Sequence, residues 1–280
     1  MAIPCGNLKS NYKRMKKLIL ICIVLSVASY GFSQKGMKSL LNGKNLKGWD
    51  TYVGPKEKGG APIGLNVDPL KLFTVVKLEG ANVLRISGEV NASIATRKEY
   101  ENYHIRMVFK WGDKVYTKLN SGLLYHSYGN FGAGLGVWMS SHELQLCTGK
   151  MGDSYCMGKS YFEIPAVKSA DGKTYTYSPT GEKTTFGVGQ TAPIAAKSSD
   201  GEKPFGEWNT IDLYCFGGTS VHVVNGKINM VNYNSGKIEN GGVISPLTKG
   251  KIQLQSEGGE LFVKTLEIEP IQEIPAGLLN

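Results

Sequence analysis

Period-two alternation of apolar and polar residues runs through most of the chain after residue 34, and no long stretch repeats apolar residues every three to four positions. Successive side chains of an extended segment point to opposite faces, so such a chain folds as strands that each bury one face. "YHIRMVFKW" sets Tyr103, Ile105, Met107, Phe109 and Trp111 on one face against His104, Arg106 and Lys110 on the other. "TIDLYCF" groups Ile211, Leu213 and Cys215. "SVHVVNGKINMVNY" reads as two strands joined at Asn225-Gly226, a pair suited to the positive φ angles of a type I′ hairpin turn. Near the C-terminus, Ile252 and Leu254 lie opposite Gln253 and Gln255. Many short alternating strands predict an all-β fold of two stacked antiparallel sheets, a jelly-roll sandwich. The 36 glycines, scattered without a period, fit its many turns.

Residues 158–206 break the pattern, being rich in Gly, Ser, Thr, Lys and Pro with aromatics dotted through them. A long loop insertion is expected there, within a single domain over 34–280, because strands of the same style resume after it.

The N-terminus reads as an export signal. Lys16 and Lys17 precede the apolar run "LILICIVLSVA" and the small-residue exit "SYGFSQ", with cleavage expected after Ser33 and Met15 a candidate true start. The apolar run is shorter than the ~20 residues a spanning helix needs. Periplasmic or secreted placement without stable membrane insertion is therefore expected. Bulky Ile21 before Cys22 argues against a lipid anchor there. The formal charge of +9 includes five basic residues and no acid within 1–33, leaving +4 for the rest, an ordinary surface that gives no reason to expect nucleic acid. Cys147, Cys156 and Cys215 remain after cleavage. Cys147 and Cys156 are close enough in sequence to pair, but three buried thiols are the preferred reading, and no Cys/His spacing marks a metal site.

One strand departs from a simple core pattern. In "WMSSHELQLCTG", Leu144 and Leu146 share a face while Glu143 and Gln145 share the other, just behind the glycine-rich "GNFGAGLGVW". An antiparallel sheet often leaves one face to water, which is the bland explanation. Trp138, the glycines on the approach and "NSGLLYHS" with Tyr125 and His126 favour a carbohydrate cleft instead, since sugars need donors, acceptors and a flat apolar partner.

The motifs "LLNGKNLKGWD", "LRISGEVNASIATRKEYENYHIRMVFKW", "NSGLLYH", "HELQL", "GEWNTIDLY", "VNGK" and "GKIQLQSEGGELFVKTLEIEPI" resemble, in this order, the 3-keto-disaccharide hydrolase family over roughly residues 39–271. The resemblance implies a concanavalin A-like jelly roll with a cleft on its concave sheet and hydrolysis of glycosides oxidised at C3. No tightly bound organic cofactor is expected. It carries Glu143 and Gln145 onto the family's Glu-x-Gln strand, and Gln255 and Glu257 onto its late LQ motif. Two features depart from the family pattern. Leu124, Tyr125 and His126 stand where many members read "SGIFLR", which puts histidine in place of a cleft arginine, and Val108 replaces a frequent acid.

A ketone at C3 acidifies the C2 proton. One base can then remove that proton, the C1 substituent leaves by elimination, and water adds back, provided a donor meets the enolate oxygen. Glu143 or His126 is the candidate base, with Gln145, Lys110, Arg106 or Arg97 as donors. Tyr125, Trp138, Asp153, Gln255 and Glu257 are candidate substrate contacts. His142 and His222 receive no role, and Trp49, Trp111 and Trp208 read as core anchors. Two alternatives stand beside this reading: a non-catalytic glycan-binding module on the same fold, and a two-carboxylate glycosidase using Glu143 and Glu257.

Overall fold

Strand Tyr103–Val115 runs through the middle of one sheet, and its Ile105, Met107, Phe109 and Trp111 are buried while Arg106 stays exposed on the opposite face. The computed structural model describes residues 36–279, so the expected export signal lies outside the described residues. Two sheets divide the strands, and every strand pairing is antiparallel. The twelve-stranded sheet follows the order Tyr175–Tyr177, Ser160–Lys168, Lys227–Ile238, Thr219–Val224, Asn209–Phe216, Tyr103–Val115, Gly259–Pro270, Ala81–Ile86 and Phe73–Leu78, with three short strands beside this path. The nine-stranded sheet follows Ile194–Ala195, Ser154–Met157, Ser140–Gln145, Gly122–Tyr128, Lys249–Ser256, Ala92–Thr96, Trp49–Val53 and Gly64–Leu65. Tyr100–Glu101 pairs with Lys249–Ser256 at its side. This is the all-β sandwich that alternation predicts.

The sheets bury their facing rows against each other. Ile105, Met107, Phe109, Ile211 and Leu213 from the larger sheet join Leu123, Leu144, Leu146, Ile252 and Leu254 from the smaller in one core. Each fully buried side chain of this kind stabilises the fold by about 1.5–3 kcal/mol relative to exposure. Asn225 and Gly226 adopt φ of 49° and 80° between strands Thr219–Val224 and Lys227–Ile238, as the hairpin reading requires. Cys147, Cys156 and Cys215 are free and buried. Trp49 and Trp111 are core residues, but Trp208 is not. It is half-buried outside the core, with the Lys110 and Lys264 ammonium groups 4.9 and 5.2 Å from its ring.

The stretch 158–206 is not a long loop. Strands Ser160–Lys168, Tyr175–Tyr177 and Glu182–Gly187 extend the larger sheet, and Ile194–Ala195 borders the smaller one. Its dotted aromatics explain the difference: Phe162, Tyr177 and Phe186 pack with Ile164, Val221, Val223 and Met230 into a second hydrophobic cluster. The polar composition belongs to the turns between these strands, and it masked their short alternation.

Candidate active site

With Leu144 and Leu146 in the core, Glu143 and Gln145 necessarily project from the outer face of the nine-stranded sheet. Register sets their neighbours. Glu143 stands opposite Tyr155 on one side and Leu124 on the other, and Gln145 stands opposite Gly122. Asp153 adjoins Gln145 through a backbone bond from Gln145 N–H to Asp153 O at 3.0 Å. Glu143, Gln145, Asp153 and Tyr155 floor a cavity of about 210 Å³. Lys118, Asn120 and Glu257 line it from the ends of the strands on the Leu124 side, whereas Met157 and Ile194 line it from the Tyr155 side. Trp138 and the exposed Leu135, from the glycine-rich loop, form one wall, and Cys147 and Lys150 line the cavity as well.

Gly122 explains how the polar groups converge. A Cβ on this residue would lie 2.6 Å from Gln255 Oε1 and closer still to Glu143 Oε1. Both side chains therefore lean into the space that a side chain at 122 would fill. Glycine inside a strand weakens it and marks close approach, which is its use here.

The electrostatics follow from burial. Glu143 is 2 % exposed, and its Oε1 has no hydrogen-bond partner among the described residues. Burial raises its carboxyl well above the ordinary value, the nearby Glu257 carboxylate adds to this, and Lys118 opposes it. Glu257 is raised by burial too, offset by Lys118 and a hydrogen bond from Asn120. Asp153 is pushed to about 6 by burial, although Lys197 N–H donates to its Oδ1 at 2.8 Å. Gln145 is held differently: Leu146 and Cys147 N–H groups donate to its Oε1 at 3.0 and 3.1 Å. With the oxygen so occupied, its NH₂ is the end left to act as a donor. Both amide atoms of Gln255 and Asn120 Oδ1 are buried without partners among the described residues. Such orphaned polar atoms beside a cavity suit a hydroxyl-bearing ligand.

The structure brings Glu143, Gln145, Asp153, Glu257 and Trp138 to one cavity, with Gln255 beside it across Gly122. Trp138 enters as a wall, 1 % exposed with its Nε1–H donating to Ala92 O at 3.3 Å, and not as an open platform.

Five expected site residues lie elsewhere. His126 belongs to the inter-sheet layer, because strand Gly122–Tyr128 carries one extra residue relative to both neighbours. This bulge places His126 at φ 50° and packs its ring against Tyr103, Tyr125 and His142. Gly250 makes room for it, since a Cβ there would overlap the His126 backbone. Burial lowers the His126 pKa to about 3 and the His142 charge adds to this, so the imidazole stays neutral. Tyr125 also points inward, its hydroxyl meeting Ser220 Oγ at 2.8 Å and His222 Nε2 at 3.0 Å. Arg106 and Lys110 lie on the other sheet, paired with Asp212 and Glu79. Arg97 is exposed and donates to Asp50 at 2.9 Å.

Residue reading missed Lys118, Asn120, Gly122 and Tyr155. Gly122 had a signal, being a glycine inside an alternating strand. Tyr155 sits in the four-residue strand Ser154–Met157, too short for alternation to register. Among the described residues, no cluster of three or more His, Cys, Asp or Glu could hold a metal ion, and no helix is long and apolar enough to cross a membrane.

A family model described as the 3-keto-alpha-glucoside-1,2-lyase-like domain matches residues 36–269. Two solved structures from Parabacteroides distasonis ATCC 8503, each described as a "putative glycosyl hydrolase", are similar to the chain. The first is 21 % identical, covering 85 % of this chain and 94 % of its own with a TM-score of 0.47. The second is 19 % identical, covering 72 % and 91 % with a TM-score of 0.42. A Bacillus subtilis protein described as having a galectin-like fold is 10 % identical, covering 84 % and 98 % with a TM-score of 0.44. No curated protein matches.

Proposed function

The chain belongs to the family of 3-keto-alpha-glucoside-1,2-lyase-like domains, and from that premise we propose that it is an exported enzyme that cleaves 3-keto glycosides by elimination across C1–C2 followed by hydration. The observation that carries this reading is the buried, unpartnered Glu143 carboxyl at the floor of a cavity lined by hydrogen-bond donors. Its raised pKa makes it a stronger base when ionised than an ordinary surface carboxylate, which suits removal of a proton made acidic by an adjacent ketone.

The donor set fits the charge that develops. As Glu143 takes the C2 proton, the electron pair moves onto the C3 oxygen. The Gln145 NH₂, fixed by the two amides on its carbonyl, and the Lys118 ammonium are the donors for that oxygen. Gln255 and Asn120 supply unpaired polar atoms for sugar hydroxyls. Collapse of the enolate expels the C1 substituent, and water then adds across the double bond. Export rests on the Lys-flanked apolar run of the N-terminus.

A second reading has its own support, because Glu143 and Glu257 line one cavity, burial raises both carboxyls, and the Glu257 charge raises Glu143 further. A two-carboxylate glycosidase needs such a pair about 5–9.5 Å apart, flanking the scissile bond. Here both carboxyls rise from one sheet, on strand Ser140–Gln145 and just past strand Lys249–Ser256, which favours a shared floor beneath one sugar ring. Matched 3-keto and parent glucosides separate the readings. Cleavage confined to the keto compounds is expected; equal cleavage of both would establish the glycosidase, and binding without cleavage the glycan-binding module.

A further inference from the structure

Elimination leaves one requirement unmet by the groups so far assigned: the departing C1 oxygen needs a proton. We infer that Tyr155 supplies it, acting as the general acid on the leaving group; the inference rests on reading the cavity as a 3-keto glycoside site.

C2 of the sugar lies between C1 and C3, so a base working at C2 needs the ketone partner on one flank and the leaving-group acid on the other. The sheet reproduces that order. Glu143 occupies the central strand, with Gln145 two residues along it opposite Gly122, and Lys118, Asn120 and Glu257 approach from just outside the ends of the strands on its Leu124 side. Tyr155 stands directly opposite Glu143 on the other neighbouring strand. Cβ atoms of directly opposed residues are about 4.5–5.5 Å apart, a spacing that lets two side chains address adjacent atoms of one ring. The Tyr155 flank is also the apolar one, with Ile194 paired to Tyr155 and Met157 two residues beyond. Sugar hydroxyls find their partners on the opposite side, so the leaving group departs over this flank. Asp153, the acid just before this strand, adjoins Gln145 and accepts the Lys197 amide.

The step balances. Glu143 takes the C2 proton and the C2–H pair forms the enolate; the C3 carbonyl re-forms, the C1=C2 double bond appears and the C1–O pair leaves on oxygen. The Tyr155 O–H proton passes to that oxygen, giving the free alcohol and a phenolate. In hydration the phenolate takes a proton from the water attacking C1, and the Glu143 acid returns a proton to C2. Both side chains end as they began.

A leaving-group series tests the assignment on the full chain. Tyr155→Phe keeps the ring and removes only the hydroxyl. With a 3-keto alkyl glucoside, kcat is expected to fall by about 10²–10⁴-fold, the usual worth of a general acid. With the 4-nitrophenyl analogue, whose phenolate leaves unaided, the loss should stay below about threefold. Deuterium entry at C2 of the keto substrate in heavy water, the work of Glu143, should persist in the variant. Equal losses across the series, no loss at all, or loss of C2 exchange would overturn the role of Tyr155. A wild-type enzyme that releases no aglycone and exchanges no C2 proton from any 3-keto glucoside would overturn the underlying reading as well.

Discussion

Gly122 and Glu143 compete for one volume: a methyl group on Gly122 would overlap Glu143 Oε1. The absent side chain is thus what lets a carboxyl from the neighbouring strand lie over the sheet and meet Gln255 in the same space. The finding ties a single backbone position to the geometry of the whole floor.

Gly122→Ala should fold, because the overlapped atoms are the far ends of two movable side chains and alanine recovers about 0.5–1 kcal/mol of backbone entropy. Its rate should fall by about 10–100-fold, since a shift of an ångström in a catalytic group has that effect. Circular-dichroism melting beside initial rates checks both halves.

Glu143→Gln should abolish turnover and stabilise the protein in a pH-dependent way. The folded-state pKa of Glu143 is raised, so the native state favours the protonated acid, and stability is lost as pH rises through that raised value. Glutamine escapes this loss. The melting-temperature gain of the variant should be small below about pH 4.5 and grow above it, at roughly 2–4 °C for each kcal/mol relieved. A constant difference across pH would contradict the buried, raised carboxyl.

His126→Asn should leave kcat/KM within about threefold, because the bulge turns position 126 into the inter-sheet layer and asparagine tolerates its φ of 50°. The His126 pKa is lowered to about 3, so the native state refuses a proton that the unfolded chain accepts near 6.5. Its contribution to stability is full above pH 6.5 and lost as pH falls toward 3. The stability deficit of the variant, read from urea midpoints, should therefore shrink on going from pH 7 to pH 4.5. A catalytic His126 would instead show a large rate loss with an altered pH–rate profile.

The residues explain how much of this was legible beforehand. Alternation in "YHIRMVFKW" and "HELQL" predicted the sandwich and the outward face of Glu143 and Gln145, because period two is a local property. The inward turn of His126 was not legible, since it depends on a bulge that only pairing with strands Ser140–Gln145 and Lys249–Ser256 defines. Tyr125 followed the pattern: two residues from Leu123, it shares that residue's inward face. Arg106 and Lys110 were polar and alternated correctly, but alternation cannot say which of two sheets a strand joins. Lys118 and Asn120 lie at a strand end, where position in the cavity is set by the fold and not by any local repeat.

The central claim is that Glu143 removes the C2 proton of a sugar already oxidised at C3. Turnover of a 3-keto disaccharide in heavy water, read by NMR before the ketone exchanges spontaneously, measures that step most directly. The account predicts one deuterium at C2 of the released keto sugar with the wild-type enzyme and neither release nor incorporation with Glu143→Gln. Release of keto sugar that retains its original C2 proton, at a rate matched by the unoxidised disaccharide, would contradict it.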